Sequence, residues 1–129
     1  MSVGIVILTH GQIGEAIIKA AEFILDQTLA DIHLVPFTQS GANTTGNGEL
    51  RMAIGASDEG DGVLILTDLP GASPANLATG LLSEFRATMV TGINLAMLLR
   101  VWNYRELPLN VLAGKAVEGG KKGIEAIDS

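Results

Sequence analysis

An apolar run near the start of the chain reads Val3-Gly4-Ile5-Val6-Ile7-Leu8 and ends in the polar residues Thr9-His10-Gly11. Apolar residues at consecutive positions are typical of a strand that is buried on both faces. Similar runs occur at 32–37 and 62–67, and a shorter one covers 88–91. The segments between these runs carry apolar residues at helical spacing. The pattern therefore predicts alternating strands and helices.

This alternation predicts an α/β fold, a flavodoxin-like, doubly wound and mainly parallel sheet with helices on both faces. Pro36 cannot donate a hydrogen bond to a neighbouring strand, so the second strand belongs at an edge. With right-handed crossovers, the expected strand order is 2-1-3-4. The 129 residues are expected to form one domain, 1–129. Helices are predicted at about 13–24, 49–56, 74–85 and 95–102, with a further helical stretch near the C-terminus.

Composition and charge exclude several kinds of site. Eight basic and fourteen acidic residues give a formal charge of −6, which argues against a nucleic-acid partner. The absence of cysteine excludes disulfides and thiolate chemistry, and two histidines are too few for a three-histidine metal site. We therefore expect neither a metal nor a cofactor. The apolar run at 3–8 is far shorter than the roughly 20 residues of a membrane helix. It also lacks signal-peptide features, so a cytoplasmic protein is expected.

Two ionisable residues follow strands that this topology makes neighbours. His10 follows the first strand and Asp68 follows the third. In an open parallel sheet, ligands bind outside the carboxyl ends of the strands, where the winding reverses. A carboxylate there can hold one imidazole nitrogen and leave the other as a nucleophile. Gly11, directly after His10, lets the next helix begin close by and offers a further backbone donor.

The loop after the third strand reads Thr67-Asp68-Leu69-Pro70-Gly71-Ala72-Ser73-Pro74-Ala75-Asn76. Ser73 before Pro74 is typical of a helix start, with serine as the N-cap. Gly71 and Ala72 leave the approach to that helix open. Backbone N–H groups and the positive end of the helix dipole would then bind a phosphoryl group. No Gly-Lys-Ser/Thr motif is present, so the donor is expected to be an already activated phosphoryl group rather than ATP.

Three segments together resemble the mannose-type enzyme IIA of the bacterial phosphotransferase system. They read Gly4-Ile5-Val6-Ile7-Leu8-Thr9-His10-Gly11, then the loop at 67–76, then Gly92-Ile93-Asn94-Leu95-Ala96-Met97-Leu98. The resemblance runs from residue 3 to about residue 127. It implies a cytoplasmic phosphocarrier that takes phosphate from the histidine phosphocarrier protein. The phosphate would pass to an enzyme IIB, expected as a separate protein, and a membrane would be reached only through a permease complex.

The resemblance also implies roles for individual residues. His10 matches the phosphorylated histidine, Asp68 matches the aspartate hydrogen-bonded to it, and Ser73 matches a serine that holds the phosphoryl group. A homodimer is implied as well, with a C-terminal strand exchanged between subunits. Two positions depart from the family's pattern. Ala72 stands where a second glycine is usual and adds a methyl group beside the phosphate, and Ala96 stands where a proline is usual.

Other functions are compatible with the same residues. One is a stand-alone regulatory phosphoprotein, in which phosphorylation of His10 controls the binding of a partner. Another is a phosphocarrier domain serving dihydroxyacetone kinase. A flavin-binding module follows from the fold alone, but the loop at 9–12 lacks the hydroxyl-rich phosphate loop such a cofactor needs.

Two further features invite a functional interpretation that the sequence does not favour. His33 lies inside the second apolar run, and we interpret it as a packed or edge histidine. The Gly/Asn/Thr-rich segment at 40–48 lacks the lysine and the spacing of a nucleotide-binding loop. We expect it to form an active-site rim or a solvent loop.

Overall fold

The structure is a computed structural model that describes residues 2–38 and 47–128. Four strands form one parallel sheet in the order β2-β1-β3-β4. They are β1 (Gly4–His10), β2 (Ile32–Phe37), β3 (Val63–Thr67) and β4 (Ala87–Val90). The helices are α1 (Ile13–Leu25), α2 (Asn47–Ser57), α3 (Ser73–Thr79), α4 (Leu95–Asn103) and α5 (Leu109–Lys122). The predicted fold class, the strand order and the edge position of β2 are confirmed.

Helices cover both faces of the sheet, and strand side chains alternate between two buried clusters. Ile7 and Leu66 point into the cluster that also contains residues of α1, α4 and α5. Val6 and Ile65 point into the opposite cluster, beneath α2 and α3. The central strands β1 and β3 are therefore buried on both faces, which explains why their sequences are apolar at consecutive positions.

The register of the sheet brings the ends of β1 and β3 together. Leu8 lies opposite Thr67, so the last residues of β1, Thr9 and His10, lie at the same edge of the sheet as the residues that follow β3. The chain passes from β1 to β2 in one direction along the sheet and from β3 to β4 in the other. This edge is therefore the place where the winding reverses and where ligands bind in such sheets.

The helix predicted at 74–85 is shorter in the structure. α3 ends at Thr79, and a 3₁₀ turn covers Leu82–Glu84 before β4 begins. Backbone N–H groups at Leu81 and Glu84 bond to carbonyls three residues earlier, which is the 3₁₀ pattern. Gly80 has a low helix propensity and permits this change. Leu81 remains buried against the sheet, which accounts for the helix-like spacing of the apolar residues.

The C-terminal helical stretch is confirmed as α5, despite its glycines at 119 and 120. These residues have low helix propensity but allow α5 to approach α4 closely. A Cβ added at Gly119 would lie 2.5 Å from the Cβ of Arg100, and one at Gly120 would lie 2.8 Å from the Cε of Met97. Packing against α4 thus accounts for glycines within a stable helix.

Candidate active site at the carboxyl ends of β1 and β3

The structure brings His10 and Asp68 into direct contact. His10 Nδ1 lies 2.8 Å from Asp68 Oδ2, and the same oxygen accepts the backbone N–H of His10 at 3.1 Å. The other oxygen, Oδ1, accepts the backbone N–H of Leu69 at 3.0 Å. The His10 side chain is 47% exposed, whereas that of Asp68 is 12% exposed. The carboxylate is thus fixed beneath an imidazole that solvent and a partner can reach.

Opposing effects act on the Asp68 carboxyl group. Partial burial raises its pKa, but hydrogen bonds from the His10 ring, the His10 backbone and its own backbone region outweigh burial. The net pKa lies below the ordinary value for aspartate, so the group is a carboxylate at neutral pH. A carboxylate is an acceptor, which assigns a proton to His10 Nδ1 and leaves the lone pair of Nε2 available in the neutral ring.

Neighbouring residues hold His10 from the side of β1 and β2. Phe37, at the end of β2, meets the His10 ring edge-on, with centroids 6.2 Å apart. The buried Thr9 hydroxyl donates to the His10 carbonyl at 3.3 Å and accepts the backbone N–H of Gly14 at 2.8 Å. Sequence reasoning missed both supports. The predicted pairing of β2 with β1 could have indicated the role of Phe37, because the last residue of β2 lies opposite the last residue of β1.

The start of α3 differs from the prediction. The helix begins at Ser73, and its N-cap residue is Ala72, which makes no side-chain cap. Gly71 has φ +78°, and this turn brings the helix start one residue earlier than expected. The Ala72 carbonyl accepts the backbone N–H of Asn76, the bond expected of an N-cap residue. The prediction that Ser73 is the N-cap is therefore wrong, and its hydroxyl is not used in capping.

The loop before α3 is open to solvent and internally braced. At Gly71 an added Cβ would meet no atom within 4 Å, and the same holds at Gly11 across the site, where φ is +44°. Ser73 is exposed, and within residues 2–38 and 47–128 its hydroxyl has no hydrogen-bond partner. The Asn76 side chain donates to the Gly71 carbonyl at 3.2 Å. Asn76 thus holds the loop, a role the sequence analysis did not assign.

The sequence was compared with models of known protein families. Residues 4–110 match the model for the family described as "PTS system fructose IIA component", which represents the mannose-type enzyme IIA. The chain belongs to this mannose-type enzyme IIA family. An enzyme IIA of this family is a transferase component of a sugar phosphotransferase system and takes part in phosphoryl transfer.

Similarities to individual proteins are consistent with membership of the enzyme IIA family. The chain is 28% identical over 130 residues to the PTS system mannose-specific EIIAB component of Escherichia coli (strain K12), covering 98% of this chain. It spans 40% of the length of that relative. The mannose/sorbose-specific IIA subunit from Enterococcus faecalis has the same fold, with a TM-score of 0.87 and 24% identity over 100% of this chain and 97% of that one. The EIIA component from Streptococcus agalactiae gives a TM-score of 0.80 at 24% identity, covering 96% of each chain.

Other features considered as sites lie elsewhere or outside the described residues. His33 lies in β2, half-buried, and its Nδ1 is 2.7 Å from Ser57 Oγ, which confirms its interpretation as a packed histidine. The segment at 40–48 lies mostly outside the described residues. Within the described ranges, no group of three or more histidine, aspartate or glutamate side chains could hold a metal ion. No described helix is long and apolar enough to span a bilayer.

Proposed function

We propose that this enzyme IIA is a cytoplasmic phosphoryl carrier that uses His10. The phosphoryl group comes from the histidine phosphocarrier protein and passes to an enzyme IIB. The observation that carries the proposal is the 2.8 Å contact between His10 Nδ1 and the Asp68 carboxylate, combined with the exposure of the His10 ring. One nitrogen is oriented by a partly buried acceptor, and the other is left free for a partner protein.

In the proposed transfer, one N–P bond forms as another breaks, and no proton is transferred. The lone pair of His10 Nε2 attacks the phosphorus atom, and the N–P bond of the donor phosphohistidine breaks, returning its electron pair to the donor ring. The proton on Nδ1 stays in its hydrogen bond with Asp68 throughout. The carboxylate stabilises the positive charge that develops on the ring as Nε2 bonds to phosphorus. Transfer to an enzyme IIB histidine repeats the step in the other direction.

Gly11, Gly71, Ala72 and Ser73 are proposed to contact the phosphoryl oxygens. The support is the open space beside the two glycines and the exposed hydroxyl of Ser73, which has no hydrogen-bond partner among the described residues. α3 has seven residues and no side-chain cap, so its dipole contributes less than the longer predicted helix would. The Ser73 hydroxyl and the backbone N–H groups of the loop and of the first turn of α3 therefore account for more of the proposed binding than the helix dipole does.

The proposal is tested by phosphorylating the purified chain. Incubation with phosphoenolpyruvate, enzyme I and the histidine phosphocarrier protein is expected to add one phosphoryl group, detected by intact-mass spectrometry. The group should be stable in alkali and lost in acid, as expected of a phosphohistidine. Omitting the histidine phosphocarrier protein is the control and should prevent labelling. An unmodified mass under complete conditions would contradict the proposal.

We further propose that the protein is a homodimer with exchanged C-terminal segments. Within the residues described, β4 forms strand pairing with β3 alone, so its outer edge is open. A groove of about 450 Å³ beside β4 is lined by Met89, Val117 and Ile124, among others. The segment after α5 exposes 76% of Ile124 and 83% of Ile127. Exposed apolar side chains next to an open strand edge favour pairing with another chain.

The dimer is tested by sedimentation or light scattering. The wild-type protein is expected at twice the chain mass of 13.4 kDa. Ile124→Asp combined with Ile127→Asp places charges in the exchanged segment and should yield the monomer mass. Phe23→Asp is the matched control, because Phe23 is 88% exposed on α1, away from β4. A wild-type protein of 13.4 kDa would disprove the proposed dimer.

A regulatory role is the second candidate function. One structure with this fold is described as a sigma-54 interaction domain protein from Enterococcus faecalis, with a TM-score of 0.72 and 19% identity. In this case His10 would still be phosphorylated, but the modification would change the affinity for a protein partner. The two functions differ in a transfer assay. A carrier loses its phosphoryl group to an added enzyme IIB, whereas a regulator keeps it.

A further inference from the structure

A second polar pocket lies at the opposite end of the sheet from His10. It has a volume of about 350 Å³ and lies beside the first residues of β1 and β2. A volume of this size accommodates a small organic molecule. Its polar and charged lining residues are Asp31, His33, Ser57, Glu59, Trp102 and Arg105. None of these residues takes part in the His10 site.

Arg105 provides a fixed positive charge in this pocket. Its guanidinium carbon lies 4.0 Å from the centroid of the Trp102 ring, and its Nη1 donates to the Trp102 carbonyl at 2.6 Å. In the part of the chain that the structure describes, Arg105 forms no ion pair. A guanidinium held in place without an anionic partner is preorganised to bind one, because its remaining N–H groups point in fixed directions.

Trp102 adds an unsatisfied donor to the same region. The side chain is 6% exposed, and its indole Nε1 has no hydrogen-bond partner among the described residues. Buried polar groups are nearly always paired in folded proteins, so an unpaired one calls for a specific explanation. Trp102 lines the pocket and carries Arg105 on its ring, so the unpaired indole N–H is a reporter for a ligand that binds beside Arg105.

Negative charges lie on other parts of the pocket wall. Asp31 and Glu59 are exposed carboxylates, and neither forms an ion pair within the described residues. His33 Nδ1 lies 2.7 Å from Oγ of Ser57, which is 5% exposed, and this contact holds the histidine ring in place on the pocket wall. The pocket thus presents one cation and two carboxylates that form no ion pair with one another among the described residues.

We infer that this pocket is a second binding site, which takes a small zwitterion of the free α-amino acid class. The ligand carboxylate binds Arg105, which is held on the face of the Trp102 ring. The ligand ammonium group binds Asp31 and Glu59. A simple anion fits poorly because of the two carboxylates, and a simple amine fits poorly because of Arg105. This inference is independent of phosphoryl transfer at His10.

The single tryptophan provides a direct test. The unphosphorylated full chain gives one indole N–H signal in a ¹H–¹⁵N NMR spectrum. Each common L-amino acid is added separately at millimolar concentration, and at least one is expected to shift this signal in a saturable manner. Two control compounds are then tested: the amine that lacks the carboxylate of that amino acid, and the acid that lacks its ammonium group. Each should bind at least roughly tenfold more weakly than the amino acid. No saturable shift with any amino acid would overturn the inference.

Variants then assign the contact to the pocket. Arg105→Met retains the aliphatic stem and should weaken binding roughly tenfold or more, measured by calorimetry. Arg86→Met, an exposed arginine that does not line this pocket, is the matched control and should bind like the wild type. If Arg105→Met does not fold, the binding site is located from the NMR signals of the wild type that shift when the amino acid is added. Shifts centred on Trp102 and His33 support the inference, whereas shifts centred on His10 overturn it.

Discussion

His10→Ala is expected to abolish phosphorylation of the chain. Alanine removes the Nε2 atom that bonds to phosphorus, and no other described side chain near the site offers an equivalent nucleophile at that position. The expected loss is complete within detection, measured by intact mass after incubation with the phosphoryl donor system. Because the His10 side chain is 47% exposed, the change should alter the free energy of unfolding by about 0.5 kcal/mol or less, apart from the lost contact with Asp68.

His33→Ala is the matched control for this experiment, since His33 is the other histidine of the chain. It lies in β2 with its ring nitrogen on Ser57, away from the proposed phosphoryl site. This variant should be labelled like the wild type, although loss of the Ser57 contact lowers its stability. Full labelling of His10→Ala, or labelling that depends on His33, would show that the phosphoryl group is assigned to the wrong residue.

Asp68→Asn is expected to slow phosphoryl transfer roughly 10- to 100-fold, a typical effect of losing a carboxylate that orients a functional histidine. Asparagine is similar in size but neutral, so it neither fixes the proton on Nδ1 nor stabilises the ring as it becomes positive. The measurement is a rapid-quench time course of His10 labelling. Asp58→Asn is a control, because Asp58 bonds to backbone N–H groups of the turn at 60–62, far from His10.

The same variant should also change how stability depends on pH. The pKa of Asp68 is lower in the folded protein than its ordinary value, so its contribution to stability is present above the ordinary aspartate range. That contribution is lost as the pH falls through the lowered pKa of the folded state. Chemical denaturation between neutral and acidic pH should therefore show a smaller acid-induced loss for Asp68→Asn. If the variant and the wild type had equal rates of His10 labelling and the same dependence of stability on pH, the proposed role of Asp68 would be wrong.

The sequence was sufficient for the parts of the fold that local patterns control. Consecutive apolar residues identified the buried central strands, and Pro36 placed β2 at the edge because proline lacks the N–H group of a ladder bond. The predicted order of the strands then placed His10 and Asp68 at one edge of the sheet. Their direct contact follows from this topology, since His10 is the last residue of β1 and Asp68 immediately follows the neighbouring strand β3.

The details that the sequence missed depend on contacts between distant residues or on the path of a short turn. Phe37 supports His10 through strand pairing across the sheet, and Asn76 braces Gly71 through a side chain that resembles any polar helix residue. The start of α3 at Ser73 depends on the left-handed turn at Gly71. Sequence alone indicates that such a turn is allowed but not which residue begins the helix.

The proposed phosphoryl acceptor is a single atom, His10 Nε2. It is tested most directly by NMR of the phosphorylated protein with ¹⁵N-labelled histidine, which identifies the ring nitrogen bonded to phosphorus. We expect phosphorus on Nε2 of His10 and a proton on Nδ1, held by Asp68. Phosphorus on Nδ1 would contradict it, because that nitrogen is the one that contacts the carboxylate in the structure.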